Sequence, residues 1–402
     1  MAPRAILRGC VAGHRREGEG LAVLDEFEDI RPYRDAEVAG VLARLLDTGE
    51  LIELAAARIA PTWHRLLPGL VRHWVRALLR RRLKGVDSVA DMQQLLSTHV
   101  EKLVRKTMTE FTYAGVEHLQ RGVPHLFVSN HRDIAVDPAL VNYAIWLEGH
   151  QTAEIAVGDN LLGRPFESDL MRLNKSFLVP RGGGSARAQY AALSRTSAYI
   201  RHTLESGTSV WIAQREGRTK DGFDRTDPAL LKMLGLAWRK EVAAPFGWLQ
   251  RLRLVPVSLS YELDPCAAMK ARELYLRDRD GDYAKAPDED FRSIELGILG
   301  FKGRVHAHFA PPVEGSFESA EALADSMDRT IVGNLAVYPT HHWAEAELAG
   351  KGAEPHLRAM TERVRRELTE AREACPPEHA PWLAAQYANL IESKRALGGG
   401  EG

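Results

Sequence analysis

Two regimes of hydrophobic patterning divide the chain. From residue 32 to residue 104 apolar side chains recur at spacings of three and four, with a helix-starting signal at Asp35, which predicts a helical N-terminal region. From residue 123 onward short apolar runs alternate with longer periodic stretches. The runs 125–129, 154–157, 177–180, 209–213, 254–260 and 304–310 read as strands, and 139–147, 161–173, 186–204 and 228–240 read as the helices between them. This alternation predicts an α/β layer, a mostly parallel sheet flanked by helices, whose ligands gather at strand ends. The expected organisation is a flexible leader over 1–31, the helical region over 32–110, the α/β domain over 111–343 and a charged helical tail over 344–402, interrupted by Pro376 and Pro377.

Within the first region, 61–84 has a composition of its own. Trp63, Leu66, Leu67, Leu70, Val71, Trp74 and Leu78 fit one helical face, while Arg65, Arg72, Arg76, Arg80, Arg81, Arg82 and Lys84 occupy the rest. Such a helix lies in a membrane interface, or packs its Leu/Trp stripe on a neighbouring domain with solvated arginines outside. The pattern by itself admits both. The uncharged stretch 138–147 is about half of the roughly 18–20 apolar residues that a spanning helix requires, so any bilayer contact is expected to be peripheral.

Length and composition narrow the class. The chain has 402 residues, 45% hydrophobic and 27% charged, enough for a substantial core and unlike a disordered or low-complexity sequence. With 53 Lys+Arg against 54 Asp+Glu the net charge is −1, which gives no global attraction for nucleic acid; any anion site is local. Cys10, Cys266 and Cys375 are odd in number and far apart, which fits a reducing compartment and provides neither a disulfide framework nor a zinc spacing. The basic N-terminus lacks an apolar signal core. A cytoplasmic protein peripherally associated with membrane is the expectation.

Candidate chemistry sits where the strands end. In FVSNHRDIAVDPAL (127–140), a strand runs into Asn130, His131, Arg132, Asp133 and, a little further on, Asp137. Imidazole with an ordinary pKa near 6.5 can accept a hydroxyl proton near neutrality, and a neighbouring carboxylate fixes its tautomer. In SVWIAQREGRTKDG (209–222), Arg215, Glu216, Gly217, Arg218 and Lys220 follow an apolar run; guanidinium groups grip phosphate with two donors at once. Arg181 precedes Gly182, Gly183, Gly184 and Ser185, a loop leading into a helix whose free N–H groups favour an anion, although it does not match a nucleotide P-loop. A fourth run, LVPVSLSYE (254–262), carries Pro256 inside a strand, which suggests an edge, a bulge or a bend.

Taken in order, these blocks resemble those of the glycerolipid acyltransferase superfamily, the PlsC and PlsB type enzymes. NHRDIAVDP is similar to its NHxxxxD block, NKSFLVPR to the second block with Phe177 and Arg181 in the matching places, QREGRT to the EGTRS block, and VPVSLSYE to the proline-bearing fourth block. GRVHAHFAPPV (303–313) resembles the strand that closes the same domain. The resemblance implies acyl transfer from acyl-CoA or an acyl carrier protein to a hydroxyl of a glycerophosphate or lysophospholipid, of the 1-acylglycerol-3-phosphate acyltransferase type, with no metal or organic cofactor. It implies His131 as general base and Asp137 as its orienting acid. Asn130, Arg132, Phe177, Arg181, Arg215, Glu216, Gly217, Arg218 and Pro256 are then expected around the substrates. Five residues separate His131 from Asp137 where the family has four, so Asp133 is a second candidate for the acid. Glu216, Gly217 and Arg218 are contiguous where the family places one residue before its arginine. Two other functions remain open at this level: O-acylation of a lipid acceptor without phosphate, and non-catalytic binding of anionic lipid.

Overall fold

The apolar runs assemble into one seven-stranded sheet: β1 (Met108–Ala114), β2 (Leu126–Ser129), β3 (Glu154–Gly158), β4 (Ser176–Val179), β5 (Val210–Ala213), β6 (Leu254–Tyr261) and β7 (Gly303–Phe309). Their spatial order is β1-β7-β6-β2-β5-β3-β4, parallel throughout except between β6 and β7. The computed structural model describes residues 26–398 other than 160–163, 182–183, 243, 245 and 287. All six expected strands are present. β1 was not anticipated, because it follows the Val89–Thr107 helix without a breaker and most of its residues are not buried. It joins the sheet by pairing with β7, nearly two hundred residues away.

Parallel strands covered by helices bury both faces, so alternate residues of each run point into separate cores. Leu126, Val128, Val210, Ile212 and Leu254 face Tyr199 and Ile200 of the Ala186–Glu205 helix together with Leu231, Leu323 and Met327. Phe127, Trp211, Val255 and Val257 face the opposite way, onto Val141, Ala144 and Ile145 of the Val136–Leu147 helix. The expected helix over 161–173 is seen as Pro165–Leu173, residues 161–163 lying outside the described set, and that over 228–240 as Pro228–Leu234 followed by a 3-10 turn at Leu236–Trp238. Pro256 is neither at an edge nor at a bend. Its carbonyl accepts from the Ala310 N–H at 3.0 Å, so the position where its own N–H would be faces the same side, past the last residue of β7. The register with β7 starts one residue later, at Val257 opposite Phe309, and a proline is tolerated in an interior strand without disturbing it.

Three expected boundaries shift. The leader is structured before residue 31: Phe27 and Ile30 are buried in the main core, Phe27 stacks edge-on against Tyr199 at 5.2 Å, and the Leu178 N–H donates to the Ile30 carbonyl at 2.9 Å. The limit at 110 cuts β1, and the limit at 343 cuts the Pro339–Leu348 helix. That helix packs with Ala267–Asp280, Glu362–Glu373 and Ala380–Gly398 around Trp343, Val364, Leu383 and Tyr387, so the tail forms a helical layer on the α/β domain. The layer touches the loop after β5 directly. Gly222, at φ +86°, lies so close to it that a Cβ there would meet the Gln386 carbonyl oxygen at 2.4 Å. Segment 61–84 is two helices, Pro61–Leu66 and Pro68–Arg82, broken at Leu67 before Pro68.

Two buried histidines make the fold acid-sensitive. Burial, with Arg253 nearby, pushes His125 down to about 4; burial beside Arg132 pushes His341 down to about 3. The neutral His341 accepts from the Tyr338 N–H through Nδ1 at 2.8 Å. Each binds its proton more readily in the unfolded chain, whose ordinary value is near 6.5, so stability falls as pH drops below that value. We expect urea unfolding measured between pH 7 and pH 4 to show a loss approaching about 1.4 kcal/mol per pH unit for each histidine. The pH slope should flatten in His125→Gln and His341→Gln.

Candidate active site

β2 stops at Ser129 because the following residues are polar and because Asn130 turns its side chain sideways into the sheet. The Asn130 carboxamide donates to the Leu259 carbonyl at 3.0 Å and to Asp224 at 3.2 Å, and accepts from the Leu259 N–H at 2.7 Å. This fully buried group ties the end of β2 to β6. It has no surface left for substrate, which corrects its expected place among the substrate contacts.

His131 comes next, and its Nδ1 lies 2.8 Å from Asp137 Oδ2. A carboxylate only accepts, so this contact puts the proton on Nδ1 and leaves the Nε2 lone pair free. Asp137 occupies the first turn of the Val136–Leu147 helix with 0% exposure. Besides His131, Oδ2 accepts from the backbone N–H groups of Arg132 at 2.6 Å and Asp133 at 2.9 Å, and Oδ1 accepts from the Tyr261 hydroxyl at 2.6 Å. Asp133 does something else. Its Oδ1 accepts from the N–H groups of Ala135 (3.0 Å) and Val136 (2.8 Å), closing the turn that absorbs the extra residue before the helix. Burial and the nearby Asp137 charge raise its pKa. Asp133 makes no hydrogen bond to His131, so the geometry pairs the imidazole with Asp137.

The other expected residues separate into three groups. Arg132 is held in the protein: it pairs with the buried Asp224 carboxylate at 2.6 Å, which also accepts from Thr219 Oγ1 at 2.7 Å, while the Thr219 N–H donates to the His131 carbonyl at 2.7 Å. Phe177 is fully buried against Tyr199 at 4.8 Å, and Pro256 is buried within β6, so both are core residues and neither faces a substrate. Arg181, Gly217 and Arg218 line a cavity of about 140 Å³ together with His131, Trp211 and Lys220. Gly217 turns at φ +75°. Arg181 lies 3.4 Å from Glu216, which is exposed on the rim, whereas Arg218 has no hydrogen-bond or ion-pair partner among the described residues. Arg215 is half-buried beside this cavity and does not line it. Gly182 and Gly183 lie outside the described residues.

Several residues of the site carry no motif in the sequence. Lys285, from the connection between the Ala267–Asp280 and Glu289–Leu299 helices, and Asp290, in the first turn of the latter, reach the cavity 2.7 Å apart. Lys220, by contrast, belongs to the third block and pairs with Glu273. Asp224 follows the third block, and nothing in its spacing marks it as a hub. Tyr261 had a signal: period two along β6 puts it on the face of Val257 and Leu259, a polar-tipped ring at the end of an apolar row. The cavity adjoins an apolar groove of about 430 Å³, and Ala135, Ile155 and Asn174 border both. Leu96, Val100 and Leu103 wall the groove on one side, and Tyr143 and Trp146 on the other.

Residues 110–240 match the family model described as Acyltransferase. This segment holds the His131–Asp137 pair and both arginines of the cavity. The crystal structure of the 1-acyl-sn-glycerophosphate acyltransferase PlsC from Thermotoga maritima is similar over 70% of this chain and 92% of that chain, at 14% identity and a TM-score of 0.39. No curated protein matches the chain.

The geometry separates two arginines by role. Arg132→Ala leaves the Asp224 carboxylate buried without its cation, and we expect it to cost about 3–5 kcal/mol in chemical denaturation. Arg218→Ala removes an arginine with no ion pair, and the denaturation midpoint should stay within experimental error.

Proposed function

We propose that the protein moves a fatty acyl group from a thioester, acyl-CoA or acyl carrier protein, to a hydroxyl of a glycerophosphate or lysophospholipid. The observation that carries this reading is the His131–Asp137 pair at a cavity that holds the unpaired Arg218 and borders an apolar groove. The groove suits an acyl chain and the arginine suits a phosphate. In this reaction His131 Nε2 takes the acceptor's hydroxyl proton while the oxygen attacks the thioester carbonyl; the carbon–sulfur bond then breaks and the imidazolium returns the proton to the departing thiolate. Asp137 stabilises the imidazolium. The acceptor itself is the nucleophile, so no acyl-enzyme forms.

Two results test it. With purified protein, acyl-CoA and a thiol reagent, thiol release should depend on added lysophosphatidate, and His131→Ala should lower kcat by about 10²- to 10⁴-fold with folding intact. Full activity in His131→Ala overturns the mechanism. Arg218→Lys should raise the KM of the acceptor more than that of the donor, because lysine lacks the two-pronged fork. Equal use of monoacylglycerol would instead favour an acceptor without phosphate.

Access to these lipids would come through the 61–84 helices. No described helix is long and apolar enough to cross a membrane. Val71 and Val75 turn inward onto Ala56, whereas Trp63 (63% exposed), Leu66 (67%), Leu70 (67%) and Trp74 (52%) lie open to solvent. The segment carries seven Lys/Arg and no Asp/Glu. Arg72, Arg76 and Arg80 are engaged by Glu53, the Leu46 carbonyl and Asp47, while Arg65, Arg81, Arg82 and Lys84 are exposed without such partners. Each cation near an anionic leaflet contributes about 1 kcal/mol. We expect co-sedimentation with phosphatidylglycerol vesicles that weakens with salt, and that is lost on changing Arg65, Arg81, Arg82 and Lys84 to Glu or Trp63 and Trp74 to Ala. Binding indifferent to both sets assigns the face to another role.

A further inference from the structure

We propose that Tyr261 is a positioning residue of the active site, holding the Asp137 carboxylate in the orientation that presents Oδ2 to His131. The inference rests on the acyl-transfer reading for its kinetic consequence, but its geometric content concerns the protein alone.

Asp137 receives four hydrogen bonds, and they divide unevenly between its oxygens. Oδ2 takes His131 Nδ1 and the two backbone N–H groups of Arg132 and Asp133; Oδ1 takes only the Tyr261 hydroxyl, at 2.6 Å. The carboxylate has no exposure, so no bulk water replaces a missing donor. An unsatisfied oxygen there is costly, and rotation about the terminal carboxylate torsion is the cheapest relief. That rotation would move Oδ2 away from His131. Tyr261 prevents it from the far side of the pair, from a different strand, at the end of β6.

The phenol suits the task. Burial and the charge of Asp137 push its pKa well above the usual range, so it stays protonated and donates. Its ring is clamped where Val136 and Leu140 of the Asp137 helix meet Met108 and Val305. The hydroxyl is thus placed by packing, not by the hydrogen bond it makes. Tyr261 is absent from the residues lining the cavity, so it acts through Asp137 and not on a substrate.

The test is Tyr261→Phe, which keeps the ring and removes the donor. We expect kcat to fall by about 10-fold with both KM values within about twofold of the parent. In an Asp137→Asn background the same change should cost less than about twofold, since the group it acts through is already altered. A separate readout needs no substrate: the Nδ1–H proton of His131, observed by ¹⁵N-edited NMR in the full-length protein, should exchange with water faster in Tyr261→Phe than in the parent. Unchanged kcat together with unchanged exchange overturns the proposal. Equal losses in the two backgrounds also overturn it, because they mark general destabilisation. If no acceptor supports thiol release by the parent protein, the acyl-transfer reading fails, and the His131 exchange rate alone decides the role of Tyr261.

Discussion

A carboxylate withdrawn from water must be met by donors on every side, and Asp137 imposes that demand on the elements around it. Three of its four donors come from the turn that leads from β2 into the Val136–Leu147 helix; the fourth comes from the end of β6. Satisfying it therefore requires the turn to be closed, the helix to start at Val136 and β6 to lie next to β2 in register. The extra residue between His131 and Asp137 fits because Asp133 caps the turn it lengthens. Pair geometry survives a change in spacing when the turn can absorb it.

A second buried carboxylate supports the first. Asp224 gathers Asn130 and Arg132 from the loop after β2 and Thr219 from the loop after β5, and the Thr219 N–H holds the His131 carbonyl. The two loops that build the cavity are thus joined beneath it. Buried ion pairs of this kind add little net stability but penalise any arrangement that separates the partners. The C-terminal helical layer presses on the same region, with Asn389 donating to the Asp221 carbonyl at 2.7 Å and Gly222 packed against Gln386. This accounts for why so many polar residues of the sequence blocks are occupied by protein and why few face open space.

The N-terminal helices show the opposite economy. Tyr33 and Arg44 reach Asp169, and Val38, Val41, Leu42 and Leu45 pack with Phe166 and Leu173, so the Asp35–Asp47 helix is docked onto the α/β domain. The Pro61–Leu66 and Pro68–Arg82 helices bury only Val71 and Val75, against Ala56. Trp63, Leu66, Leu70 and Trp74 are left outside. A helix that buries its small side and exposes its tryptophans and leucines is suited to an apolar environment beyond its own fold.

Hydrophobic periodicity was enough to place six of the seven strands and the helices between them, because runs buried on both faces are apolar along their whole length. β1 escaped, since an exposed edge strand leaves only a weak pattern and its partner β7 is distant in sequence. The residues beyond the strand ends were also legible, and the fold brings His131, Arg181, Gly217 and Arg218 to one cavity with Asp137 behind the histidine. What a string of residues does not carry is direction. Whether Asn130, Arg132, Phe177 and Pro256 face a cavity or the protein, and which of two aspartates meets His131, depends on the turn, the register of β6 on β2 and the position of Asp224. Lys285, Asp290 and Tyr261 likewise join the site only because distant segments converge on one end of the sheet. Composition and spacing settled which groups are available; three-dimensional packing decided which of them are spent on the fold and which remain open.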